Sequence, residues 1–419
     1  MIDDEEKNKM IVEEKLPEAK KVIEILKKKN ECNKIIILLI LIMSANILTF
    51  IKNNKTMNLS RVASLKKSIN YMKKCHKGLF INKNHMNFSP NPKISVVIPV
   101  YNCQNTIKFA VRSIQNQDMA DIEIMLVNDF SKDKTPTIIQ ELSEEDPRIK
   151  IINNKKNMGT LYTRNIGILQ SEGKYIMNLD NDDLFMDQDV FDVTYNEAEY
   201  GNFDIIGFTA VECDDYKPAV KSIFDSPFHI QKNGLIVRQP ELMYFPYSKD
   251  NNKFYPNDYH VWGRLVRSDI YKKTINNFGT SILGQQRNTS FLLWTEDISI
   301  TIPLFYYSKS YKYIKKYGVF HFLSTNTATF TIPNDHRLFS ELFFLDVMFD
   351  FTENNFKGKK FIVEKVRLIK GYYHFSLKNE KNVLYLKKLL QKVMNCQYIS
   401  DEDKKIIKNE YISYGLFDD

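Results

Sequence analysis

Five short apolar runs recur between residues 94 and 212, and each gives way to polar residues before a helical stretch begins. They are ISVVIPV (Ile94–Val100), IEIMLVN (Ile122–Asn128), IKIIN (Ile149–Asn153), KYIMNLD (174–180) and DIIGFTAVE (204–212). Runs this short, apolar and without alternation, suit strands buried on both faces. Helical spacing occupies 106–117, 137–143, 159–171 and 187–200. The alternation predicts an α/β fold, a Rossmann-like and mostly parallel sheet with helices on both faces. In open sheets of this kind ligands bind beyond the carboxyl ends of the strands. Chemistry is therefore expected just after each run.

Polar residues gather there. The first run ends in Pro99, Val100, Tyr101 and Asn102, the second in Asn128, Asp129, Phe130 and Ser131, and the fourth in Asp180, Asn181, Asp182 and Asp183. No glycine-rich loop follows the first run, which excludes a dinucleotide fingerprint and a P-loop. Carboxylates crowded together are costly unless a cation neutralises them. Oxygen-only ligands suit Mg²⁺ or Mn²⁺, shared with substrate phosphates, and such a metal would stabilise charge on a departing diphosphate. A solvated acidic turn capping the next helix is the alternative. The position after a buried strand, in line with Asp129, favours the metal.

These motifs carry a resemblance. From residue 93 to about 208 the chain resembles the inverting family 2 glycosyltransferases of the GT-A fold. IPVYN (98–102) matches their P-x-Y-N turn, and NDFSKD (128–133) their D-D-G-S-x-D segment. The N-x-G-x-x-x-x-R-N-x-G pattern is intact in Asn157, Gly159, Arg164, Asn165 and Gly167, and Gly173, Tyr175 and Ile176 lead into the D-x-D-D at 180–183. Four motifs in order over this span are specific where any one would be weak. The resemblance implies that Pro99, Tyr101 and Asn102 line a nucleotide pocket, that Asp129 hydrogen-bonds the base (usually uracil), and that Arg164 lies near the diphosphate. It implies that Asp180 approaches the ribose and joins Asp182, the D-x-D ligand, at the metal. Two departures stand out: Asn128 replaces the first Asp of D-D-G-S, and Phe130 replaces its glycine.

Inversion by direct displacement needs a general base to take the acceptor hydroxyl's proton. WTED (294–297) precedes an apolar helical stretch, and the resemblance points to Asp297 as that base, with Glu296 beside it. An acidic residue at a helix start also serves as a cap, and the two roles are compatible. Upstream, HVWGRLVRSDIY (260–271) resembles the family's W-x-K-L segment, with Arg264 for Lys and Trp262 available to stack on a sugar. His321, between aromatic residues, is read either as structural or as a third metal ligand. The implied reaction moves one sugar from a nucleotide diphosphate donor, UDP-linked by analogy, to a glycan, lipid or protein acceptor. A silent sugar-nucleotide-binding scaffold or a nucleotidyltransferase are the competing readings. A polymerising synthase would need several later membrane spans and a Q-x-x-R-W motif, which the sequence lacks.

The division expected along the chain is a polar segment (1–34), a transmembrane anchor (35–51), a stem (52–92), a nucleotide-sugar half (93–213), an acceptor half (214–335) and a C-terminal helical extension (336–419). The anchor is IIILLILIMSANILTFI, uncharged and bracketed by lysines. It lies at the short end of the roughly 17–25 residues that span a bilayer. A buried core helix is the alternative. The positive-inside rule leans to a cytoplasmic N-terminus, hence a single-pass protein with an extracytoplasmic catalytic domain. The net charge of +8 is diffuse, which suits phosphate or an anionic membrane and gives no nucleic-acid stripe. Five scattered cysteines form no zinc or disulfide pattern. Amphipathic runs after Leu338 are read as capping the domain or lying on a membrane.

Overall fold

The computed structural model describes residues 87–214, 223–225, 233–239, 247–250, 253–256, 260–277, 296–323, 334–351, 363, 366, 380–412 and 416. The segment 35–51, expected as an anchor, lies outside them, as do 1–34 and most of the stem. Among the described residues no helix is long and apolar enough to cross a membrane.

The chain opens as the alternation predicts, with β1 (Ile94–Val100), α1 (Ile107–Gln115), β2 (Ile122–Asn128), α2 (Thr135–Glu145), β3 (Ile149–Asn153), α3 (Thr160–Gln170) and β4 (Tyr175–Asn178). A two-residue β5 (Leu184–Phe185), α4 (Val190–Gly201) and β6 (Ile205–Asp214) follow. Then come β7 (Ile223–Asp225), β8 (Ile236–Arg238), β9 (Tyr247–Asp250), β10 (Lys253–Pro256), β11 (Arg264–Arg267) and α5 (Ser268–Asn277). The remaining elements are α6 (Glu296–Tyr307), β12 (Ser310–Leu323), α7 (Asn334–Phe351), α8 (Glu380–Asn395) and α9 (Asp401–Tyr411).

One sheet runs in the order β3-β2-β1-β4-β11-β6-β12-β5, with β7 on β6 and β8 on β12; β9 and β10 pair with each other. β1 to β4 pair in parallel. β11 enters antiparallel between β4 and β6, and β12 pairs with β6 in parallel. The nucleotide and acceptor halves expected from the motifs therefore share a single sheet. β12 carries register shifts between Ile314 and Val319, beyond which Val319 and Phe320 pair antiparallel with β5. That pairing brings His321 to the acidic end of β4.

Alternation in the strands explains their unbroken apolarity. Val96, Ile98, Ile124 and Leu126 pack with α1, α2 and α4 on one face, while Val97, Met125, Val127 and Ile176 join α3, α5 and α6 on the other. Both faces bury apolar side chains, so no polar stripe survives. Helices α7 to α9 extend the second core, with Leu342, Leu345, Leu386, Leu389 and Val393 joining Ile300 and Leu304 of α6. Lys392 of α8 pairs with Asp346 of α7 at 2.6 Å. Of the two readings of the C-terminal runs, the structure supports the cap.

The last glycine of the N-x-G-x-x-x-x-R-N-x-G pattern acquires a packing reason. A Cβ on Gly167 would lie 2.6 Å from Val97 Cγ1 and 2.8 Å from Val127 Cγ2, so α3 sits on β1 and β2 with no room for a methyl. Overpacking costs about 1–3 kcal/mol. Gly167→Ala should lower the unfolding free energy by about that amount in urea melts followed by tryptophan fluorescence. An unchanged midpoint would refute the close contact.

Candidate functional site

The site begins with two turns, after β1 and β2. Asn102 (φ 47°) and Phe130 (φ 65°) both take the left-handed conformation, which costs a non-glycine residue about 1–2 kcal/mol. The turn a glycine would make at 130 is thus kept with a phenyl ring in its place. Neighbours hold it. The Asn102 amide donates to Ser131 Oγ at 3.0 Å, and its Oδ1 accepts from Lys132 N at 2.8 Å. Ser131 N donates to Asn128 Oδ1 at 3.1 Å, so asparagine in place of the first aspartate still supplies the acceptor the turn uses. Lys132 Nζ lies 3.3 Å from the centre of the exposed Phe130 ring. Tyr101, in the turn after β1, is 46% exposed. Pro99 is buried in β1, and its carbonyl accepts from Asn181 Nδ2 at 3.0 Å, joining the first strand end to the fourth.

Asp129 lies deeper. Its carboxylate accepts from Met158 N at 2.7 Å, Gly159 N at 2.8 Å and Asn154 Nδ2 at 2.8 Å. The two amides lead directly into α3, where a carboxylate satisfies unpaired N–H groups and meets the positive end of the helix. An ionised carboxylate has about four acceptor positions, and three are taken here by the protein. Asp129 is thus a latch for α3 before it is a contact for a base.

Arg164 projects from α3 with 2% of its surface exposed. Its Nη2 donates to Asp180 Oδ1 at 2.8 Å, and its Nη1 faces Asp297 Oδ1 at 3.4 Å. One guanidinium therefore holds carboxylates from the end of β4 and the start of α6. Burial pushes the Asp297 carboxyl up to about 6, with Arg164 opposing the rise and Asp180 adding to it. A carboxylate so placed is poised to exchange a proton near neutral pH.

Asp182 is pushed up to about 7, first by burial and then by the charges of Asp183 and Asp180, with His321 opposing. Asp183 is fully buried and pairs with His321 Nδ1 at 2.8 Å. His321 stacks on Trp262 (4.6 Å), which stacks on His260 (4.4 Å). Trp262 is 1% exposed, so it is not the sugar platform expected from the sequence; the two imidazoles cover its faces. Among the described residues no group of three or more His, Cys, Asp or Glu is disposed to hold a metal. The donor set still fits Mg²⁺ or Mn²⁺, which use one or two carboxylates together with substrate phosphates. A cation would offset both the burial and the neighbouring charges that raise the Asp182 carboxyl.

A mixed sheet with these carboxylates beyond its strand ends has the GT-A architecture. Residues 95–272, less than half of the chain, match the family described as Glycosyl transferase family 2. Over 182 residues the chain is 29% identical to the uncharacterized glycosyltransferase EpsJ of Bacillus subtilis (strain 168), covering 43% of this chain and 50% of that protein. It is 28% identical over 191 residues to a GalNAc(5)-diNAcBac-PP-undecaprenol beta-1,3-glucosyltransferase of Campylobacter jejuni, covering 43% of this chain and 62% of that one. The chain thus spans between half and two-thirds of these relatives. Residues 1–349 of S. aureus TarS, solved in complex with UDP-GlcNAc, share the fold at TM-score 0.55 and 14% identity, over 77% of this chain and 88% of that one.

The structure brings Asp180, Arg164 and Asp297 together and sets Asp182 and His321 beside them. Sequence reasoning missed His260, the link of Asp183 to His321, and the latching by Asp129. Only the adjacency of Gly159 to a helix start hinted at the last. Asp129→Ala should destabilise the chain by about 2–4 kcal/mol, because hydrogen bonds to charged groups are worth about 1.5–3 kcal/mol each and a cap is lost. Chemical denaturation measures this. A variant as stable as wild type would mean that Asp129 serves a ligand alone.

Proposed function

We propose that this chain is a membrane-anchored, inverting glycosyltransferase. It transfers one sugar from a UDP-linked donor, with Mg²⁺ or Mn²⁺ on the diphosphate and Asp297 as the general base. The carrying observation is the Arg164 bridge, which holds the candidate base and the acidic end of β4 on one guanidinium. The UDP-GlcNAc complex of TarS supports a UDP donor. The undecaprenol-linked acceptor named for the Campylobacter relative supports a glycan or lipid acceptor.

In this reading Tyr101 offers its exposed face to the base of the nucleotide, and Pro99 and Asn102 hold the turn that presents it. Asp182, with Asp180, would hold the metal, with His321 as a candidate third ligand. When bound, the metal supplies positive charge to the leaving diphosphate. Asp297 takes the proton of the acceptor hydroxyl as that oxygen bonds to the anomeric carbon and the nucleoside diphosphate departs from the opposite face. Arg164 is buried beneath both carboxylates and orients them; it acts on the reaction through them.

A screen of nucleotide-sugar donors with Mn²⁺, read by nucleoside diphosphate release, tests the assignment. Asp182→Ala and Asp297→Asn should each lower kcat by at least about 10²-fold, the low end for general-base catalysis, in chains that remain folded. EDTA should abolish turnover, and Mn²⁺ should restore it. A base works only when deprotonated, so at saturating metal kcat should fall as pH drops through about 6, where Asp297 takes up its proton. Full activity in both variants would sink the assignment.

The reading includes an anchor at 35–51 with a cytoplasmic N-terminus and an extracytoplasmic catalytic domain. A tag on the N-terminus of the full chain should be digested by protease added to the cytoplasmic side only. Protection on that side would reverse the orientation.

A further inference from the structure

We propose that His260 is a positioning residue for Asp297, held in place by a column of stacked rings that is pinned at its far end by Asp183. The role rests on the reading of Asp297 as the base and deepens it. The column is geometric. Trp262 lies between His260, with ring centres 4.4 Å apart and planes 20° apart, and His321, at 4.6 Å and 30°. The far ring cannot turn freely, because His321 Nδ1 is 2.8 Å from Asp183 Oδ2. Asp183 is itself fully buried, and its amide donates to the Asp180 carbonyl at 3.1 Å.

At the near end, His260 Nδ1 lies 3.9 Å from Asp297 Oδ2, while Arg164 Nη1 faces Oδ1 at 3.4 Å. The Val261 amide also donates to the Asp297 carboxylate. His260 and Val261 therefore meet the Asp297 carboxylate in addition to the guanidinium, with His260 on Oδ2 and Arg164 on Oδ1. At 3.9 Å the imidazole lies beyond direct hydrogen-bond distance of the carboxylate, and contacts in unliganded active sites are often longer than in the substrate complex. These contacts matter because the last torsion of an aspartate is broad. A carboxylate free to rotate would present neither oxygen steadily to an acceptor hydroxyl, and a misplacement of about 1 Å can cost 10²-fold in rate. The column also joins the base to the carboxylates of the donor side through three rings, so the two ends of the reaction keep a fixed separation.

The test uses the full chain, Mn²⁺ and whichever UDP-sugar the donor screen returns, with water or the acceptor taking the sugar. His260→Ala should lower kcat about 10- to 100-fold while donor KM and Tm stay at wild-type values. His260→Gln, which keeps an N–H near Asp297, should recover most of the loss. In an Asp297→Asn background His260→Ala should have no further effect, because the group it positions is gone. An unchanged kcat in His260→Ala overturns the role, as does an equal further loss in the Asp297→Asn background. So does a loss matched by falls in Tm and donor affinity, which would mark the column as packing alone. Full activity in Asp297→Asn would instead overturn the base itself, and no turnover of any donor by wild type would overturn the proposed function; each result is distinct from the failure of His260.

Discussion

The guanidinium of Arg164 is the contact on which the rest of the site depends. It compensates two carboxylates, Asp180 and Asp297, that reach it from elements far apart in the chain. Without it, two like charges would face each other with little water to screen them, and breaking a buried pair in this way is costly because the surviving charge loses its partner. Its aim is set by α3, and α3 is set by two other residues. Asp129 binds the amides at the helix start, and Gly167 lets the helix settle against Val97 and Val127. Arg164 and Gly167 stand three apart on one helical face, so the residue that packs and the residue that reaches share one surface. A motif that reads as a string of letters is, in the fold, a helix clamped at its start and pressed onto the sheet so that one arginine points correctly.

Much of this was legible in the sequence. The strands and helices of the first half fall where the apolar runs put them, because strands buried on both faces leave an unbroken signature. Asp180 and Asp182 stood out because carboxylates collect at a strand end, and Asp297 stood out only through the resemblance. What escaped was long-range geometry. Nothing local says that β11 enters antiparallel beside β4, or that the bulged β12 carries His321 back to Asp183. Trp262 looked like a sugar platform on sequence grounds, yet the ring is buried between two histidines. Asp129 is expected to contact a base, and nothing in the sequence signals that its carboxylate also meets backbone amides nearly thirty residues further on. Periodicity reports burial; it does not report which distant partner does the burying.

Phe130 shows how a departure from a pattern is absorbed. The turn keeps the left-handed backbone that a glycine would adopt freely, and the surrounding hydrogen bonds from Asn102, Ser131 and Asn128 hold the less suitable residue to it. The ring then lies at the surface beside Lys132, an exposed aromatic where glycine would have left none.

The shared sheet limits how such a molecule can be recombined. The motif boundary at residue 213 falls inside β6, a strand that pairs with β11 and β12 from the other half. A chimera joined there would sever a central strand from both neighbours. Exchange of parts with a relative must instead proceed through the connections between strands, which leaves the carboxylate-bearing scaffold fixed.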